Sequence, residues 1–201
     1  MKGLVNLKKN ITEIIFILDR SGSMSGYESD TIGGFNGFIK IQNLKDEKTN
    51  LTVVLFDHER EILWDGIEIS NVILTEKEYF VRGSTALLDA IGHTIIDVSN
   101  RLIKTSYNNL PNKVIFVITT DGLENSSVEF TYEQVERLIK QKQSVDKWDF
   151  IFLGANINVK KEAESLGIDI NDAHEFRTAD MESVFCELNE YVLYKRKAKE
   201  K

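Results

Sequence analysis

Short apolar runs alternate along this chain with longer segments whose apolar residues recur every three or four positions, and few folds accommodate that alternation. Ile14 to Leu18, Leu51 to Phe56, Val114 to Ile118 and Phe150 to Leu153 carry almost no polar face, as expected of strands covered on both sides. Between them lie helical patterns. Tyr27 to Leu44 places Ile32, Phe35 and Phe38/Ile39 on one side. From Thr85 onward, Leu88, Ile91, Ile95, Val98 and Leu102 form an unbroken stripe. Glu133 to Lys142 and Val159 to Leu166 are shorter, the second stopped by Gly167, and Met181 to Lys197 closes the chain. Glu61 to Trp64 follows the tight connection His58-Glu59-Arg60 and reads as an antiparallel hairpin partner, while Phe176 marks a last short strand. Strands separated by helices imply right-handed crossovers. The expectation is an α/β fold: a doubly wound, mostly parallel six-stranded sheet with one antiparallel edge strand and helices on both faces. Gly33, Gly34 and Gly37 oppose the propensity of the first helix, which implies a close approach by its backbone.

At 201 residues the chain suits one domain spanning 1–201, and no linker or internal repeat interrupts it. The net charge of −7 repels phosphate backbones, so nucleic acid is not the expected partner. The apolar run after Lys2, Lys8 and Lys9 is too short for a signal-peptide core or a membrane span, so no membrane partner is expected. A single cysteine, Cys186, excludes an internal disulfide and fits a reducing, cytoplasmic setting. Its position beside Phe185 predicts a buried, inert thiol. Lys195-Arg196-Lys197, with Lys199 and Lys201, complements a helix C-terminus. His58, His93 and His174 lie scattered, with no Cys or carboxylate at metal-ligand spacing, and read as surface or capping residues. Trp64 and Trp148 abut apolar strands and read as packing.

In open α/β sheets ligands bind beyond the carboxyl ends of the strands, so the residues following each apolar run carry the most information. After the first comes Asp19-Arg20-Ser21-Gly22-Ser23, where a period near two puts Asp19, Ser21 and Ser23 on one side. After a later one comes Thr119-Thr120-Asp121-Gly122, a second carboxylate at the same edge. Gly83-Ser84-Thr85 opens the long amphipathic helix and adds a hydroxyl at a loop–helix junction. Two carboxylates and three hydroxyls make an all-oxygen donor set, suited to Mg²⁺, Mn²⁺ or Ca²⁺ and poor for zinc or copper. Glu124 and Asn125 stand next to this edge, and Asp89 lies one helical turn beyond Thr85.

In order and context, Asp19-x-Ser21-x-Ser23, Thr85 in Gly-Ser-Thr-Ala-Leu and Asp121 in Thr-Asp-Gly resemble the metal-ion-dependent adhesion site (MIDAS) of von Willebrand factor A domains. The order of strands and helices follows that family over nearly the whole chain, and the sequence reads much like small stand-alone bacterial or phage members. The resemblance implies that Ser21, Ser23 and Thr85 bind a Mg²⁺ ion directly. It implies that Asp19 and Asp121 act directly or through water. The sixth position is then left to water, or to a Glu or Asp of a protein partner. Two other readings stay open: a Mg²⁺-dependent hydrolase or phosphoryl-transfer enzyme, and an assembly subunit whose metal serves the fold. Against catalysis, Asp19 is not followed two residues on by a second aspartate, and no Gly-x-x-x-x-Gly-Lys loop is present.

Overall fold

A computed structural model describes residues 10–45, 47–176 and 181–197. The apolar runs form the strands β1 (Ile11–Asp19), β2 (Lys48–Phe56), β4 (Lys113–Thr120) and β5 (Asp149–Gly154). The edge strands are β3 (Arg60–Glu68) and β6 (Ala173–Glu175). The helices are α1 (Glu28–Asn43), α2 (Leu87–Lys104), α3 (Tyr132–Val145), α4 (Val159–Ser165) and α5 (Met181–Lys197). All six strands join one sheet in the order β3-β2-β1-β4-β5-β6, parallel except for the antiparallel β2–β3 pair.

Alternation along each central strand divides the core in two. Ile14, Phe16 and Leu18 face α1 and α5, together with Leu51, Val53, Leu55, Ile115 and Val117. Ile15 and Ile17 face the layer of α2, α3 and α4, with Phe116, Ile118, Phe150 and Phe152. A strand whose neighbours on both faces are helices has no solvent side to keep polar, which is why these runs are unbroken in the sequence. Trp64 stacks on Phe35 and Trp148 on Phe116, both as packing.

Of the three glycines in α1, only Gly34 explains itself by contact. A Cβ there would stand 2.3 Å from a ring carbon of Phe185, so α5 crosses α1 at this point. Gly33 and Gly37 have nothing within 4 Å, and the structure gives no packing reason for them.

The first strand begins ahead of its apolar run, with Glu13 inside it, fully buried, Arg101 of α2 at 2.5 Å and the Thr52 hydroxyl donating to it at 3.1 Å. Two readings need correction. The last strand ends one residue before Phe176. That residue's N–H donates to the carbonyl of Gly154 while its ring enters the core. Cys186 is exposed, because α5 turns Phe185 and Leu188 inward and leaves position 186 on the other side. Lys199 and Lys201 lie outside the described residues. Lys195 pairs with Asp172 and Asp149, more than a dipole argument alone assigns to it.

Candidate metal centre

The carboxyl ends of β1 and β4 are adjacent because their strands are hydrogen-bonded neighbours, which brings Asp19 and Asp121 to the same edge. Ser21 and Ser23 follow Asp19 in a short 3-10 turn at Gly22–Met24. The Ser21 and Ser23 hydroxyl oxygens stand 3.1 Å apart, and the Ser23 hydroxyl donates to Asp121 Oδ1 in a very short contact. Thr85 enters from the start of α2. A Cβ at Gly122 would lie 3.2 Å from Ser23 Oγ and 3.4 Å from Thr85 Oγ1, so the two hydroxyls flank the bare Cα of Gly122. All five residues singled out from the sequence therefore converge. Asp19, Ser21, Thr85 and Asp121 are buried and Ser23 is exposed, which gives the cluster a closed floor and an open mouth.

Burial pushes the carboxyl of Asp19 up to about 6, opposed by hydrogen bonds from the Thr120 hydroxyl at 2.6 Å and the Ser21 N–H at 2.7 Å, with Asp121 adding repulsion. Burial also raises Asp121, against the contact from Ser23. Two desolvated carboxylates at one edge, without a guanidinium or ammonium bonded to either among the described residues, are an arrangement that a cation would relieve. The donor set fits a hard dication. At Mg–O distances of ~2.1 Å, neighbouring octahedral ligands lie ~3 Å apart, close to the Ser21–Ser23 separation.

The loops bearing these donors are fastened by residues that the sequence reading passed over. Asp57, fully buried at the end of β2, accepts from Arg20 Nε at 2.8 Å and Arg82 Nε at 2.9 Å. Its carbonyl accepts from the Ala86 N–H, while Arg82 N–H donates to Arg20 O and Gly22 N–H to Gly83 O. The loop of Ser21 and Ser23 is thus tied to the loop of Thr85. Arg20 is itself fully buried, bonds Glu61 at 2.7 Å and leaves Nη2 without a partner among the described residues. The Tyr79 hydroxyl donates to the Asp19 carbonyl at 2.6 Å. One signal was available: Asp57 follows an apolar run as directly as Asp19 does.

The rim belongs to the loop after β4. Asn125 Oδ1 accepts from the Thr85 N–H, Glu124 Oε2 from the Leu88 N–H and Ser127 Oγ from the Asp89 N–H, the last two being free amides in the first turn of α2. Asp89 does not face the metal loops but accepts from the N–H groups of Val128, Glu129 and Phe130. His58 corrects the expectation of histidines remote from carboxylates. The ligand atoms of Asp57, His58 and Glu59 lie within 4.8 Å of one another. Arg20 and Arg82 already occupy Asp57 there and oppose a second cation.

No protein-family model and no curated protein sequence matches the chain. Solved structures do. The vWF domain of the type V pili tip protein Mfa5 from Porphyromonas gingivalis superposes with a TM-score of 0.68 at 10% identity, over 96% of this chain and 98% of that one. Proximal thread matrix protein 1 from the mussel byssus, in a form with a zinc-occupied MIDAS motif, gives 0.64 at 14% identity over 92% of this chain and 48% of that one. Manganese-loaded TRAP protein of Plasmodium vivax gives 0.51 at 16% identity, covering 73% and 57%. The chain spans about half the length of the byssus protein it matches. At such identities the likeness establishes the fold, a von Willebrand factor A-type α/β sheet.

Proposed function

We propose that this chain is a von Willebrand factor A module that binds a divalent cation, Mg²⁺ in the cell, and uses it to grip a Glu or Asp of a protein partner. The observation that carries the reading is the meeting of three hydroxyls with two charge-starved carboxylates at one open-mouthed edge. In this reading Ser21, Ser23 and Thr85 contact the ion, and Asp19 and Asp121 hold it directly or through water. Neutral direct ligands leave much of its charge uncancelled, so an anionic oxygen from outside completes the shell. Two of the similar structures carry zinc or manganese, which supports a dication without selecting Mg²⁺. The role is binding rather than catalysis, within one domain over 1–201 in a reducing, cytoplasmic setting.

Affinity capture with immobilised protein tests this, in Mg²⁺ and in EDTA, with Asp121→Ala alongside. The expected result is an acidic-surfaced partner retained only by the wild type in Mg²⁺, while Asp121→Ala keeps the wild-type circular dichroism. Equal retention in EDTA would overturn the partner-gripping role.

A further inference from the structure

Beside the metal loops stands an exposed aromatic ring. Phe80 lies in the connection that leads into Thr85 and α2, and it is 46% exposed. Its neighbours fasten it to the segment that carries the donors. The Tyr79 hydroxyl donates to the Asp19 carbonyl at 2.6 Å, and the Arg82 N–H donates to the Arg20 carbonyl at 2.9 Å. The guanidiniums of Arg20 and Arg82 stand over the Phe80 ring, 5.3 and 5.7 Å from its centre. Both bond the same oxygen of Asp57, so they crowd one face of the ring and leave the other towards solvent.

A carboxylate gripped by a metal gives little selectivity by itself, because every exposed Glu or Asp offers the same group. Discrimination comes from what surrounds it. Charge around Phe80 is already matched among the described residues: Arg20 pairs with Asp57 and Glu61, and Arg82 with Asp57 and Glu59. A second acid on the partner would meet the exposed Glu59 and Glu61, and a base would have to displace the guanidiniums seated on them. The uncommitted feature is the open ring face. Any apolar side chain gains by covering it, and an aromatic one gains further from offset or edge-to-face ring contact. We propose, on the reading that the metal grips a partner's acid, that the partner carries an aromatic side chain beside that acid and rests it on Phe80.

The probes are acetylated, amidated glycine pentapeptides with a central Glu, one otherwise all glycine and the rest carrying Phe at each remaining position in turn. They are titrated into the isotopically labelled protein in Mg²⁺ and in EDTA, followed by NMR at Gly122 and at the Phe80 ring. In Mg²⁺, at least one Phe-bearing peptide should bind about three- to tenfold tighter than the all-glycine one and shift the Phe80 ring. That gain should vanish in Phe80→Ala and shrink in Phe80→Leu, while both variants keep the wild-type affinity for Mg²⁺ and for the all-glycine peptide. Equal affinity across the panel, or a gain that survives in Phe80→Ala, overturns the proposal. So does a gain lost in Leu123→Ala instead, which would put the aromatic contact on the β4 side of the mouth. Loss of Mg²⁺ uptake in both Phe80 variants would reduce the ring to a cover for Arg20 and overturn it as well. Absence of any Mg²⁺-dependent peptide binding is a separate failure, that of the metal-gripping reading, and takes the proposal with it.

Discussion

Asp19 is held where water cannot solvate its charge, and its chemistry follows from that. With the folded-state value at about 6 and the unfolded one in the ordinary Asp range near ~4, the folded protein binds the extra proton between these pH values. In the metal-free protein, this residue's contribution to stability is therefore greatest below pH ~4 and falls as pH rises towards 6, by about 3 kcal/mol at most. Denaturant melts in EDTA should show the decline, and Asp19→Asn should flatten it. An unchanged profile in the variant would remove Asp19 as its source. Saturating Mg²⁺ should abolish the decline in the wild type, because the ion replaces the proton. Asp57 makes a different prediction. It touches none of the five donors but joins Arg20 to Arg82, so Asp57→Asn should weaken Mg²⁺ uptake about tenfold or more while the five donors stay in place. Calorimetric affinity equal to wild type would show that the donor loops hold their positions without it.

Elements differed in how openly the sequence displayed them. The central strands were legible because helices cover both of their faces, so each carries an apolar run with almost no polar side. α2 was legible because its stripe is uninterrupted. β6 was not, since three residues at an edge leave no periodicity to read, and the nearby Phe176 signals core burial rather than pairing. The place of Glu13 inside β1 was not legible because the partner that tolerates it, Arg101, comes from a helix 88 residues away. The site showed the same division. Asp19, Ser21, Ser23 and Asp121 adjoin apolar runs and announce themselves, whereas the Arg20–Asp57–Arg82 fastening is assembled from three separate loops. Packing of α1 on α5 gives a paired test. Gly34→Ala drives a methyl into the Phe185 ring and should cost about 1–3 kcal/mol in chemical denaturation. Gly37→Ala meets no neighbour and should stabilise by up to ~1 kcal/mol through helix propensity alone. Equal effects at the two positions would refute the close crossing.

Across the whole molecule the sheet separates labour by edge. Its amino end is closed by structural ion pairs, among them Glu13 with Arg101 and Lys113 with Asp149. At its carboxyl end Asp57 is paired with Arg20 and Arg82, whereas Asp19 and Asp121 gather with three hydroxyls and no guanidinium or ammonium bonded to them among the described residues. A fold that leaves carboxylates desolvated and unpaired is stabilised by whatever neutralises them, so a cation bound to the native state alone should raise the melting temperature with its concentration. The most direct measurement is isothermal titration calorimetry of the chelator-stripped protein with Mg²⁺ at pH 7, wild type beside Asp19→Ala and Asp121→Ala. The account predicts one ion per chain for the wild type and no measurable uptake by either variant. A wild type that takes up no cation, or variants that take it up equally well, would contradict it.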